Sequence, residues 1–279
     1  MKVNTITDTY KTHNEDIYGV SKHGFWVIDG ALPLSHAHHT DSYSDVVWMV
    51  NWWQNYLTKS LDQMDKSIVE IIEEGVDLIN SDYNQFFEVD KLTKLDCASA
   101  SIAIVRIREN KLENFVLGDV EINLQHTDGK IITLVDKKME DMDSEVINMI
   151  YNSERRVDEI VFNGYTADEL KVLRENRMKM NSENGYYVLE HDKSAIKHGI
   201  YKAYSITEVK DFLIMSDGFS AIYNKYHWIN QNQLFELCKS EGLETVLRKI
   251  RDLEDSDKDF NTYKRLRLHD DASAIHIEL

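Results

Sequence analysis

Five short acidic clusters, spread over almost the whole chain, each sit at one end of a stretch that reads as a β-strand. They are Asn14-Glu15-Asp16; Asp29-Gly30 after Phe25-Trp26-Val27-Ile28; Gly118-Asp119 after Asn114-Phe115-Val116-Leu117; Asp217-Gly218 after Asp211 to Ser216; and His269-Asp270-Asp271-Ala272 before Ser273 to Ile277. A carboxylate at the end of an apolar strand stands at the rim of a packed sheet, where its backbone is held while its oxygens can still meet solvent or a cation. Several such rims converging would hold hard divalent metals. Asp-Gly alone is chiefly a turn signal, as at Asp128-Gly129, so the weight rests on the set and its order.

The rest of the chain reads as strands, a helical pair, a strand meander and further helices. Short strands run over Val3 to Thr9, Ile17 to Ser21 and Phe25 to Ile28, followed by a loop from Ala31 to Thr40. Apolar residues three and four apart then predict two helices, one through Val46, Val47, Val50, Trp53 and Leu57, the other through Ile68, Ile71, Ile72, Val76 and Ile79. Asp45, Asn55, Lys66, Glu73 and Glu74 are expected to face water, and Trp48, Trp52 and Trp53 to pack. Strands Ser99 to Ile107, Lys111 to Leu117, Glu121 to His126 and Lys130 to Val135 form the meander. Helices follow at Lys138 to Ser153 and Thr166 to Met178, the latter opened by Thr166 with Glu169 three residues on. Strands near Tyr186 to Leu189, at Ile200 to Ile206 and up to Asp217 precede late helices at Gln233 to Cys238 and Leu243 to Leu253. Hairpin connections between strands point to an α+β fold with antiparallel sheets.

No repeat, low-complexity run or Pro/Gly/Ser-rich linker divides the 279 residues, and Pro33 is the sole proline, so one domain over 1–279 is expected. A formal charge of −17 would repel a phosphate backbone, which argues against nucleic acid as a partner. No run approaches the roughly 20 apolar residues of a membrane span, and Met1 to Thr5 lack the apolar run of a secretory signal. A cytoplasmic protein is expected. Cys97 and Cys238, in apolar surroundings and without metal-ligand spacing, read as buried free thiols.

The order and strand context of the five clusters, from Asn14 to Asp271, resemble the metal-dependent serine/threonine protein phosphatases of the 2C type, in particular bacterial-type members. The resemblance implies a four-layer α-β-β-α sandwich with two central antiparallel sheets and a variable segment at about 136–197 beside the active site. It implies hydrolysis of phosphoserine and phosphothreonine in proteins by a water activated between two Mn2+ or Mg2+ ions, with no side-chain nucleophile. Asp29 would bridge the ions, the Gly30 carbonyl would reach one, Asp217 and Asp270 would hold the other, and Glu15 and Asp16 would act largely through waters. Asp119 would serve a weaker third ion, and a signalling role opposite a serine/threonine kinase would follow.

Three departures from that pattern concern the substrate side. Lys11 stands where the family usually has an arginine to grip the phosphate, and a lysine is a point charge without a bidentate fork. Asp29-Gly30 continues as Ala31-Leu32-Pro33, without the histidine that some members use toward the leaving group. Asp96-Cys97-Ala98-Ser99-Ala100-Ser101 replaces a Gly-Ser/Thr motif with small residues only. The metal carboxylates are intact, which favours an active hydrolase. The alternatives are an impaired relative that binds a phospho-ligand or partner, or a phosphatase for small metabolites.

Three other features read as structural. His36, His38 and His39 read as an exposed loop close enough to Asp29-Gly30 to lean over the site. Asp255-Ser256-Asp257-Lys258-Asp259 lacks the glycine and glutamate of a calcium loop and reads as a solvated acidic loop. Lys264-Arg265-Leu266-Arg267 either forms structural ion pairs or orients a substrate beside Asp270.

Overall fold

The computed structural model describes residues 1–152, 159–162, 164–260 and 262–279, the side chains of residues 140, 141 and 143 excepted. Three strands, β1 (Lys2–Asp8), β2 (Asp16–Val20) and β3 (Gly24–Ala31), lead into the helices α1 (Asp45–Ser60) and α2 (Ile68–Tyr83). The meander is β4 (Ser99–Arg108), β5 (Lys111–Leu117), β6 (Glu121–His126) and β7 (Ile131–Leu134). Then come α3 (Lys138–Asn152), the small hairpin β8 (Ile160–Phe162) and β9 (Tyr165–Thr166), α4 (Ala167–Arg177), β10 (Ile200–Ser205) and β11 (Val209–Met215). Helices α5 (Asp217–Asn224), α6 (Gln231–Ser240) and α7 (Leu243–Ser256) precede the last strand, β12 (Ala272–Glu278).

The strands form two five-stranded sheets, ordered β1-β12-β11-β6-β7 and β10-β5-β4-β3-β2, with antiparallel pairing. The apolar runs of β3 and β4 are unbroken because both faces of each strand are buried. Phe25 and Val27 of β3, with Ala103 and Val105 of β4, face Phe212, Ile214, Ile275 and Ile277 of the other sheet. The alternate residues Trp26, Ile28, Ile102 and Ile104 pack under α1 and α2 against Val50, Trp53, Leu57 and Ile72. On the far side, Leu213, Met215 and Ala274 pack against Phe219, Leu234, Phe235 and Ile250 of α5, α6 and α7. A strand residue's neighbour always points to the opposite face, so a two-residue period distributes one strand between two cores. The result is the expected helix-sheet-sheet-helix stack.

Local signals set several element ends. Ser67 and Glu70 form a capping box on α2, and Thr166 and Glu169 form the expected one on α4. Trp53 is fully buried, with Trp48 and Trp52 packed against the same cluster, and the two cysteines are buried and free.

Several expectations are corrected. Tyr186 to Leu189 is no strand; a single bridge joins Leu189 to Ala100. Asp45 faces inward, 2% exposed, because its carboxylate accepts from the backbone N–H groups of His39 and Thr40 and from the Tyr83 hydroxyl. Asp257 likewise is buried, held by the N–H groups of Thr262 and Tyr263 and by Arg265, so the acidic segment around it is an anchored turn. Helix α5 begins where the sequence suggested only a strand end. The expected helix end at Ser153 lies outside the described residues. Among the described residues no helix is long and apolar enough to cross a membrane.

Candidate metal centre

The alternation along β3 puts Asp29 on the same side as Phe25 and Val27, at the rim of the gap between the two sheets. Asp29 stands opposite Asp16 in the β2–β3 ladder and opposite Ser101 in the β3–β4 ladder. The other sheet brings Asp217, as the first residue of α5, from the end of β11, and Asp270 and Asp271 from just before β12. Two glycines permit this approach. A Cβ on Gly30 would lie 2.7 Å from the Glu15 carbonyl oxygen and 2.5 Å from a Val46 methyl, and one on Gly218 would lie 2.1 Å from the Asp271 carbonyl oxygen. Lys11, Glu15, Asp29, Gly30, Asp119, Asp217 and Asp270 thus line one cavity of about 580 Å3. Asp16 is buried beside Asp29, across the ladder from it.

Carboxylates crowded at one buried or half-buried rim raise one another's proton affinity. Burial, then the charges of Asp16, Asp217, Asp119 and Asp270, push the Asp29 carboxyl well above the usual range. Asp16 is pushed up by burial and by Asp271, Asp217 and Asp270, with the Ser216 hydroxyl close enough to offset part of this. Asp217 is raised by burial and by Asp270, against the relief that Lys225, Arg267 and the nearby Asp29 carboxyl give. Its place in the first turn of α5 favours the ionised form, but burial outweighs the helix dipole. Asp270 goes the other way: Arg267, Lys225 and Lys11 overcome its burial and hold its pKa below the ordinary value.

The flanking side chains are held by hydrogen bonds. The Lys11 ammonium donates to Glu15 Oε2 at 2.6 Å and to Asp271 Oδ2 at 2.9 Å. Asp271 also accepts from Thr9 Oγ1 at 2.6 Å and from the Glu15 backbone N–H at 3.0 Å. Its neighbour Asp270 faces the cavity, while Asp271 ties β1, β2 and β12 together. Burial would depress the Lys11 pKa, yet the bond and charge of Glu15 and the charge of Asp271 leave it raised. Ser101 Oγ donates to Asp119 Oδ1 at 2.6 Å and accepts from the Asp119 N–H at 3.2 Å, so the small residue opposite Asp29 holds the third-ion candidate in place. Sequence reading did not single out Asp271 or Ser101 as organisers; the signal was a second aspartate beside Asp270 and a serine in a run of small residues.

The donor set fits a cation. Among the described residues, both oxygens of Asp16 are buried with no partner in hydrogen-bond geometry, and a cluster of this charge density is relieved by bound positive charge. Oxygen-only donors match magnesium or manganese better than the softer metals. Among the described residues no three histidine, cysteine or carboxylate side chains close on one point as a complete chelate. The oxygens instead ring a cavity with room for waters, which these ions retain in their shells. His36, His38 and His39 do not line it; His36 packs on Phe162 and His39 stacks on Phe87. His269 does line it, with Nδ1 2.9 Å from Glu254 Oε2 and its ring stacked on Tyr10.

A family model described as protein phosphatase 2C matches residues 9–251. No curated protein matches the sequence significantly. Among solved structures, the serine/threonine phosphatase PstP/Ppp of Mycobacterium tuberculosis superposes with a TM-score of 0.59 at 10% identity, covering 100% of this chain and 98% of that one. Serine/threonine phosphatase Stp1 from Staphylococcus aureus gives 0.55 at 13% identity, covering 100% and 94%. The catalytic domain of PstP in complex with two manganese ions gives 0.53 at 10% identity, covering 99% and 97%.

Proposed function

Because this chain belongs to the protein phosphatase 2C family and is a metal-dependent serine/threonine protein phosphatase, we propose a division of labour among the residues at its sheet edge. Asp29 and the Gly30 carbonyl would hold the metal pair from one sheet, and Asp217 and Asp270 from the other. Glu15 and Asp16 would act through ordered waters, and Asp119, held by Ser101, would serve a weaker third ion. When bound, two Mn2+ or Mg2+ ions supply Lewis acidity toward the phosphoryl oxygens and lower the pKa of water enough for attack on phosphorus near neutral pH. The PstP complex with two manganese ions supports that stoichiometry.

This chain's own residues fix and shield the site. The opposed strand ends hold the carboxylates at the mouth of the inter-sheet gap, where the packed sheets limit their movement. Lys11 is proposed to attract the incoming phosphate as a point charge already shared with Glu15 and Asp271. Met139, Met142, Phe162, Tyr165 and Leu173, from the variable segment at 136–197, form an apolar wall of the cavity. We assign to that wall the choice of residues flanking the phosphorylated serine or threonine. A phosphoprotein substrate, an opposing serine/threonine kinase, a signalling role and a cytoplasmic setting complete the reading.

The observation that carries it is the convergence of Asp29, Asp217 and Asp270, from three remote segments, on one cavity. The expected result is Mn2+-dependent release of phosphate from a phosphothreonine peptide. Activity undiminished by Asp29→Asn and Asp217→Asn, or no activity across several metals and peptides, overturns the reading.

A further inference from the structure

Among the described residues, three Lys or Arg side chains line the carboxylate-bearing cavity: Lys11, Arg177 and Arg267. The Lys11 ammonium is held by two carboxylates at 2.6 and 2.9 Å. Arg177 directs Nη1 to the backbone oxygens of Leu32 and Cys97. Arg267, which like Arg177 engages only Nη1 among the described residues, differs in being exposed and in standing beside Asp270. Among the described residues its one hydrogen bond runs from Nη1 to Asp270 Oδ1 at 3.1 Å, and its side chain is 48% exposed. Nε and Nη2 therefore remain as parallel donors on a rigid planar group that a single carboxylate oxygen already aims at the site.

The backbone that carries Arg267 is fixed on both sides. Two residues earlier, Arg265 is 4% exposed and donates to Asp257 Oδ2 at 2.7 Å, to the Asp257 carbonyl at 2.8 Å and to the Leu268 carbonyl at 3.3 Å. Two residues later, His269 is held by Glu254. Arg267 also lines a second cavity of about 620 Å3 that shares Asp119, Asp217 and Asp270 with the first. It thus stands on the ridge between two openings, over the aspartates assigned to the metals.

We propose that Arg267 supplies the guanidinium fork that grips the substrate phosphate, the task for which Lys11 lacks the geometry. This rests on the phosphatase reading above. A phosphate dianion matches two parallel N–H donors far better than it matches an ammonium, and anchoring to Asp270 sets the fork beside the metals before substrate arrives.

The test uses the full chain loaded with Mn2+, as wild type, Arg267→Ala, Arg267→Lys and Arg248→Ala. Arg248, on the exposed face of α7 beside Glu244, removes the same charge away from the cavity. Inorganic phosphate is titrated calorimetrically into each, Mn2+ affinity is measured separately, and KM and kcat are taken with a phosphothreonine peptide. The expected result is phosphate affinity about 10- to 100-fold weaker in Arg267→Ala, partly restored in Arg267→Lys and unchanged in Arg248→Ala, with KM rising in parallel. Phosphate affinity equal in wild type and Arg267→Ala, or lost equally in Arg248→Ala, overturns the proposal. So does a loss confined to Mn2+ affinity, which would make Arg267 only a counter-charge for Asp270. A wild type that binds phosphate through Arg267 but hydrolyses no phosphopeptide would overturn the catalytic reading and leave this assignment standing.

Discussion

Lys11 and Asp271, 260 residues apart in the chain, meet with Nζ 2.9 Å from Oδ2, and the same ammonium lies 2.6 Å from Glu15 Oε2. One cation thereby joins the turn before β2 to the residue before β12, across the rim that carries the aspartates proposed to hold metal. Without it, two nearly buried carboxylates would face each other across a cluster already crowded with negative charge.

Lys11→Met is accordingly expected to destabilise the protein by about 1–3 kcal/mol, the cost of leaving charged partners unmatched in a partly buried site. Manganese affinity should fall with it, because Glu15 loses the contact that orients it. Chemical denaturation and calorimetric Mn2+ titration check both. A variant as stable as wild type would show that the ion pair contributes nothing.

The cluster of Asp16, Asp29 and Asp217 is expected to favour function over metal-free stability. Asp16→Asn removes a buried charge that, among the described residues, has only the nearby Ser216 hydroxyl to offset it and no partner in full hydrogen-bond geometry. Its metal-free melting temperature should rise by about 2–4 °C, the shift that about 1 kcal/mol gives in a domain of roughly this size. The Mn2+-induced gain in melting temperature should shrink in the same variant. Thermal melts with chelator and with excess Mn2+ measure the two effects.

Asp257 governs an acid limb of stability. Although burial opposes ionisation, the N–H groups of Thr262 and Tyr263 and the Arg265 guanidinium pull its carboxyl down to about 2. Its folded value lies below the unfolded value of about 3.9, so its contribution is complete above about pH 4 and is lost as pH falls through about 2. Asp257→Asn should therefore cost about 3 kcal/mol at pH 7, as expected when one partner of a buried ion pair is removed. The difference from wild type should close near pH 2. Urea denaturation across that range is the measurement.

Burial pushes the thiols of Cys97 and Cys238 up to about 12. At pH 7 the thiolate fraction is then on the order of 10⁻⁵, and the thiolate is the reactive form. An aromatic disulfide reagent should label neither cysteine in the native protein and both after denaturation. Rapid labelling of the native protein would show that one of the two is exposed.

Much of this fold was readable from order and period. The capping box at Thr166, the meander from Ser99 onward and the apolar run of β11 are local signals that the structure places within a residue or two of the expected bounds, and β3 extends three residues past its apolar run, to Ala31. Asp45 and Asp257 were misjudged for one reason: a carboxylate in a polar stretch is read as solvated, yet a loop that turns back can bring backbone N–H groups five or six residues away onto it and bury it. Helix α5 was missed because its eight residues are too few to display a helical period. The strand expected at Tyr186 to Leu189 had the composition but no edge to pair with beyond one bridge.

The sequence by itself determined which carboxylates stand at strand ends, how each strand divides its residues between two faces, and hence the layered fold. It could not decide that Asp270 faces the cavity while Asp271 turns to Lys11, Thr9 and Glu15, nor that Arg265 is sealed in the interior while Arg267 projects over the site. Neighbouring residues of like charge carry the same local signal. Which of them meets solvent, a metal or a counter-ion depends on chain segments more than 200 residues away, such as Thr9 and Lys11 at Asp271, and only folding brings those together.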